Sequence, residues 1–227
     1  MIRVIHENTR IAYNLIAEKY HLLFWNELDD KPFDRAYLDK FAGFFAPASK
    51  IIDAGCGPTA HIGRYLHDKG LKVTGIDISE RCIEIATECN PMMDFLRLDL
   101  LDWKPDSNSI DGIVAYYSII YSPKQEVGLL LDNFNRALVP GGRLLLAVKK
   151  GSFEGYQDEV LGINVHSYFA EYQEREVENI VAKSGFRIDE LITRSPYRDE
   201  IQNERIYCLC SRVNLKEEIS KDLIRRR

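Results

Sequence analysis

Cysteine is scarce in these 227 residues: there are five, an odd number, and no two stand in C-x-x-C spacing. Neither a zinc site nor a disulfide framework is supported by that pattern, so buried reduced thiols are expected and no metal site is assigned. Basic residues are also in deficit, with 30 Lys and Arg against 35 Asp and Glu and a formal net charge of −5. That balance leaves no overall electrostatic footprint for nucleic acid. Long apolar runs are missing too: none approaches the ~20 residues that cross a bilayer, and the opening MIRVIHENTR has no apolar core of signal-peptide length. A cytoplasmic location follows as the expectation, with no membrane and no nucleic-acid partner. Repeats, low-complexity tracts and linkers are absent, and the length suits one large domain.

The residues that are present fall into two patterns. Over 9–25, Tyr13, Ile16, Ala17, Tyr20 and Phe24 recur at helical spacing. A second helix opens at Pro32, runs through Phe33, Tyr37, Phe41 and Phe45, and is closed by Pro47. From Lys50 short apolar strands alternate with amphipathic helices. The spacing predicts strands at 51–54, 73–77, 94–98, 111–116, 143–148, 186–193 and 204–211, and helices at 62–69, 80–88, 126–138 and 174–184. Gly70 and Gly185 sit where left-handed helix ends favour glycine. Such alternation predicts an α/β fold with a parallel sheet covered on both faces. Since 194–203 holds no helical pattern, the last two strands are expected to form an antiparallel hairpin.

The stretch IIDAGCG, from Ile51 to Gly57, becomes the turn that leaves the first strand. In an open parallel sheet, ligands bind beyond the carboxyl ends of the strands, near the point where strand order reverses. Gly55 and Gly57 would let a ligand approach the backbone, and a nucleoside-containing cofactor is the expected visitor. A dinucleotide requires G-x-G-x-x-G, yet Gly57 is followed by Pro58, Thr59 and Ala60. The acid Asp53 at the strand end would repel a pyrophosphate and could hold an ammonium group.

IIDAGCG, then VTGID, FLRLDL and LVPGGRLLL in that order, resemble the class I S-adenosylmethionine-dependent methyltransferases over roughly 50–212. The resemblance implies S-adenosylmethionine as cofactor and a doubly wound, seven-stranded, mostly parallel sheet. One antiparallel strand comes from the C-terminal hairpin. Residues 1–48 would be an N-terminal helical cap within the same domain, 49–213 the cofactor-binding domain and 214–227 a tail. It also implies that Asp53 receives the methionine ammonium, that Gly55 and Gly57 lie under the cofactor, and that Asp77 binds the ribose hydroxyls. Ile78 would pack on the adenine, Asp99 would read its amino group, and Leu100 would add a backbone contact. Tyr116 falls close to the methionine moiety, and Tyr20 is the cap residue expected to reach the cofactor, although it also fits apolar packing. Thr59 stands where the family often has a third glycine, which is a departure.

For the methyl acceptor, expected to be a small molecule, the substrate candidates are Tyr117 and Tyr121 in AYYSIIYSP and Tyr197 and Arg198 in SPYRDE, where Glu200 also lies. His166 in VHSYF is the candidate base, though a lone histidine is also a common structural residue. An NAD(P)-dependent oxidoreductase and a non-catalytic cofactor-binding module stay open as alternatives. The oligomeric state is not encoded in any pattern.

Overall fold

The computed structural model describes residues 2–213, and the expected tail at 214–227 lies outside them. In chain order α1 (Ile2–Phe24), a 3-10 turn (Glu27–Asp30) and α2 (Pro32–Ala42) precede β1 (Lys50–Ala54), α3 (His61–Asp68), β2 (Lys72–Asp77), α4 (Glu80–Cys89) and β3 (Asp94–Arg97). After these come β4 (Ile110–Tyr116), a second 3-10 turn (Ile119–Tyr121), α5 (Lys124–Ala137), β5 (Leu138–Lys149), β6 (Glu154–Val160), β7 (Ile163–Ala170), α6 (Glu174–Lys183), β8 (Phe186–Arg194) and β9 (Arg205–Arg212).

Seven strands form one sheet in the order β3-β2-β1-β4-β5-β9-β8. Strand β9 runs antiparallel to both β5 and β8, and the remaining pairs are parallel. The two-residue period of a strand sorts its side chains between two helical layers. Leu144, Leu146 and Val148 join the cluster built on α5 and α6, while Leu145 and Ala147 join the cluster built on α2 and α3. The α5 stripe of Val127, Leu130, Leu131 and Phe134, with Leu138 beyond it, is at most 1% exposed. Each such side chain contributes roughly 1.5 to 3 kcal/mol of burial, which anchors one face of the sheet. Gly70 and Gly185 take φ of 86° and 76° just past the ends of α3 and α6, as their helix-end positions require.

Two elements depart from the sequence pattern. Helix α1 begins at Ile2, seven residues before the expected start at Thr9, because His6 and Thr9 are buried against the sheet's carboxyl end and extend the contact face. Residues 154–170, where no element is expected, form the β6–β7 hairpin, a separate two-stranded sheet. Its Leu161-Gly162 turn has φ of 54° and 71°, the left-handed pair of a tight hairpin, in a sequence without the Asn-Gly signal. Val165 packs with Ala12 and Ile16 of α1, so the hairpin grips one side of that helix. On the other side Ala17 packs with Cys82 and Ile85 of α4. Helix α1 is thus clamped across the end of the sheet.

Candidate active site

Strand order reverses between β2-β1 and β1-β4, and the turn that leaves β1 lies at that switch point. Gly55 N–H and Cys56 N–H both donate to the Ile76 carbonyl, at 2.7 and 3.0 Å, which folds the turn over the end of β2. Gly55 has φ 78°, and a Cβ there would stand 2.3 Å from Ser118 Cβ. Only glycine satisfies both conditions. At Gly57, with φ 62°, a Cβ would project into open space. The turn therefore leaves a cradle that side chains would fill.

The strand-end acids are tied to this turn. Asp53, 2% exposed, accepts from Gly63 N–H at 2.9 Å through one oxygen, and its carboxylate makes no other hydrogen bond among the described residues. Burial pushes its pKa up to about 7 against the pull of His61 and the Gly63 N–H. Asp77 accepts from Gly57 N–H and Ser79 N–H, both at 2.9 Å, and burial raises its pKa as well. Asp99 accepts from Leu101 N–H at 3.0 Å and from His6 Nδ1 at 2.8 Å. Burial opposes ionisation of Asp99, but the His6 contact and the Leu101 N–H outweigh it and lower its pKa.

These groups line one cavity, whose empty space with its open mouth comes to about 920 Å³. Asp53, Gly55, Gly57, Asp77 and Ile78 line it from β1 and β2. Asp99 and Leu100 line it beyond β3, Tyr116, Tyr117 and Tyr121 beyond β4, and Tyr20 from α1. His6, Thr9 and Tyr13 complete the roof, with Tyr13 edge-on to Tyr121 at 5.1 Å. Among the described residues no lysine or arginine lines the cavity.

Tyr117 adopts φ 54°, a costly backbone for a bulky residue. Its hydroxyl meets Tyr207 Oη at 2.8 Å, and its N–H donates to Ala147 O at 2.8 Å. Those contacts hold the strained residue as a cavity wall.

Several lining residues carry no sequence signal. His6 lies before the expected start of the first helix; Nδ1 donates to Asp99, and Nε2 stands 3.3 Å from Glu126 Oε2. Burial opposes protonation of His6, but Asp99 and Glu126 together raise its pKa. Glu27 and His61 meet at 3.2 Å, and His61 Nδ1 lies 2.6 Å from Thr59 Oγ1. The Thr59 hydroxyl thus orients His61, which a third glycine could not do. Burial opposes ionisation of Glu27, yet His61 and Lys31 hold its pKa at about 2.

Three sequence candidates stand away from the cavity. His166 is exposed on β7, paired to Asp158 at 2.8 Å and stacked on Tyr156 at 4.0 Å. Strand alternation turns Val165 and Ser167 inward and His166 outward, so it cannot serve as a base in this cavity. Tyr197 does not line the cavity either; its hydroxyl accepts from Phe33 N–H at 2.9 Å, and Arg194 lies 4.2 Å over its ring. Arg198 is exposed on the hairpin loop. Glu200, expected near the pocket, is instead buried between Lys31 and Arg194.

A family model described as a methyltransferase domain matches residues 51–142. The chain is 30% identical over 156 residues to an S-adenosyl-L-methionine-dependent Diels-Alderase of Talaromyces variabilis, covering 62% of this chain and 52% of that protein. It is 30% identical over 141 residues to a carboxy-S-adenosyl-L-methionine synthase of Pseudomonas paraeruginosa, covering 56% and 55%. The chain thus spans about half the length of these relatives. Among solved structures, a complex of DhpI with S-adenosylhomocysteine superposes with a TM-score of 0.71 at 18% identity, covering 92% of this chain and 97% of that one. A Methanosarcina mazei S-adenosylmethionine-dependent methyltransferase gives 0.68 at 17% identity, covering 75% and 95%. Residues 51–142 thus match a methyltransferase domain, and the fold is the one seen in solved S-adenosylmethionine-dependent methyltransferases. The domain match and the S-adenosylhomocysteine-bound neighbour support S-adenosylmethionine over the alternative of a nicotinamide dinucleotide.

The residues that line the cavity fit S-adenosylmethionine. Asp53 offers an unpartnered carboxylate oxygen for an ammonium group, and Gly57 leaves room for a ligand against the backbone.

Proposed function

We propose that this protein transfers a methyl group from S-adenosylmethionine to a nucleophilic atom of a small-molecule acceptor by in-line displacement, releasing S-adenosylhomocysteine. The observation that supports it most is the convergence of three strand-end carboxylates, Asp53, Asp77 and Asp99, on one cavity roofed by α1. In this reading Asp53 holds the methionine ammonium, Asp77 the ribose hydroxyls and Asp99 the adenine amino group. Gly55 and Gly57 admit the cofactor, Ile78 and Leu100 border its base, and Tyr20 and Tyr116 flank the reacting end.

When bound, the cofactor supplies an electrophilic sulfonium methyl. The chain's task is to align the acceptor and exclude water, and the ring wall of Tyr13, Tyr20, Tyr117 and Tyr121 does both. A base is required only for an acceptor that is protonated at working pH. Neither His166, exposed outside the cavity, nor His61, whose ring nitrogens meet Thr59 and Glu27, is placed for that role.

The test is incubation with methyl-labelled S-adenosylmethionine and a panel of small acceptors. Acceptor-dependent appearance of S-adenosylhomocysteine together with labelled product is expected. A second reading, in which the same cofactor serves other chemistry, is favoured by the two relatives named above, neither of which is called a methyltransferase. Product formation with the cofactor unconsumed, or a new cofactor species, would select that reading. We place the reaction in the cytoplasm, in keeping with five unpaired thiols. No described helix is long and apolar enough to cross a membrane.

A further inference from the structure

The end of the cavity at Asp99 is closed by one side chain of the roof. His6, in the second turn of α1, and Asp99 line the cavity on one side and, on the other, a surface cleft that shares Ile78 and Leu98 with it. The His6–Asp99 contact is therefore a partition between the interior and an opening to solvent. Nδ1 meets Asp99 Oδ2 at 2.8 Å, and the Leu101 N–H holds the other carboxylate oxygen. Across the ring, Nε2 stands 3.3 Å from Glu126 Oε2 of α5. Neither Glu126 oxygen has a hydrogen-bond partner among the described residues, although Glu126 is only 2% exposed.

Both ring nitrogens of His6 thus face a carboxylate, and a neutral imidazole has one N–H to offer. With that N–H turned to Asp99, the Nε2 lone pair would meet a buried carboxylate, which is repulsive. One proton between Nε2 and Oε2, carried by either atom, turns that contact attractive. The other charged groups facing this place are Arg3, Glu7 and Arg10 on α1, Arg97 and Asp102 around the end of β3, and Asp132 on α5. Arg10 and Arg97 are both bound to Glu80, and His6 is the only ion-pair partner of Glu126 among the described residues. No cation of the set replaces the bridging proton. Burial alone would strip a proton from His6, but Asp99 and Glu126 hold it, so its pKa lies above the ordinary 6.5.

We propose that the proton held between His6 and Glu126 is the latch of a gate. With it, the first two turns of α1 are pinned to Asp99 and α5 and close this end of the cavity; without it, they open onto the cleft. The gate stands on these donors and acceptors alone, while its cargo rests on the reading in which Asp99 takes the adenine amino group. Under that reading His6 is a positioning residue for Asp99, and the cofactor leaves faster once the proton is lost. Because the pKa is raised, the latch is complete below the ordinary value and is lost as pH climbs through the folded one.

The test is hydrogen exchange of the ligand-free protein from about pH 5.5 to 9, read peptide by peptide, with residues 10–24 of α1 as the internal reference for residues 2–9. In the wild-type chain, protection of 2–9 against that reference should fall by about ten-fold as pH rises, in line with a charge-assisted contact. Glu126→Gln presents an N–H to a neutral His6 and should keep the gate shut across the whole range. At the alkaline end, labelled S-adenosylhomocysteine chased with unlabelled ligand should leave the wild type about ten-fold faster than it leaves Glu126→Gln. Protection of 2–9 that does not move with pH, a pH response that survives Glu126→Gln, or equal release rates would overturn the proposal. A latch that titrates in this way in a protein that binds no S-adenosylhomocysteine would support the gate and count against the cofactor reading alone.

Discussion

The strand-end side of the cavity and the far end, behind its Tyr117 and Glu27 wall, are built on different principles. At the strand ends, each acid closes a local unit: Asp77 caps Ser79 two residues on, Asp99 caps Leu101 two residues on, and Asp53 meets Gly63 ten residues on. Behind Tyr117 and Glu27, contacts join segments far apart in sequence. Lys31 meets Glu200 across 169 residues, Phe33 meets Tyr197 across 164, and Tyr207 meets Asp34 across 173. The local end is a motif that can be shared by a family, whereas the long-range end is specific to how this chain wraps its N-terminal helices against its C-terminal hairpin.

The widest separation of the two ends comes from breaking the long-range set. Arg194→Met would remove the guanidinium that bonds Glu200 and stands beside buried Asp34, and breaking such a buried set costs about 3 to 5 kcal/mol. Denaturant unfolding should show that drop, and an unchanged midpoint would mean that the cluster is only packing. The corresponding cut at the local end is Asp77→Ala. It removes the tie to Gly57 and the expected ribose contacts, each worth about 1.5 to 3 kcal/mol. Calorimetry should show at least about ten-fold weaker S-adenosylhomocysteine binding with a much smaller change in stability.

Asp53 sharpens the comparison through pH. Its folded pKa of about 7 lies above the ordinary 3.8, so the folded state holds the proton more tightly than the unfolded state. Its contribution to stability is therefore complete below the ordinary value and is lost as pH rises toward about 7. An ammonium ligand needs the carboxylate, so S-adenosylhomocysteine affinity should rise by up to about ten-fold per pH unit over the same window. Asp53→Asn should flatten that rise, and a slope unchanged by the substitution would exclude Asp53 as the ammonium partner.

Smaller effects are expected at the roof and outside it. His6→Gln would cut the roof helix from Asp99 and Glu126 and should lower stability by about 1 kcal/mol. Because the His6 pKa is raised, that difference should be largest in acid and shrink as pH climbs through the folded value. His166→Ala should change neither stability nor cofactor binding by more than about 0.5 kcal/mol, since the ring is exposed. A large loss in calorimetry would show that the hairpin reaches the site.

The contrast between the ends also explains what the sequence discloses. IIDAGCG, VTGID and FLRLDL each carry strand, turn and acid within a few residues, so periodicity puts the acids at strand ends, and the resemblance points Asp53, Asp77 and Asp99 at the ligand, where the cavity lies. Tyr117 and Tyr121 follow directly from a strand end and are located equally well. Glu27 and His61 are not, because each becomes a lining residue only through a partner on another element. The β6–β7 hairpin was hidden for a different reason: one face packs on α1 and the other meets water, and polar residues occupy both strands. That same alternation sends His166 to solvent, and only the register, set by a Leu-Gly turn, reveals it.

The central claim, that the cavity beneath α1 is an S-adenosylmethionine site, is tested most directly by calorimetric titration of the protein with S-adenosylhomocysteine, with NADH in parallel. The account expects S-adenosylhomocysteine to bind with about micromolar affinity, near −8 kcal/mol, and NADH not to bind. Binding of NADH alone, or of neither ligand, would contradict it.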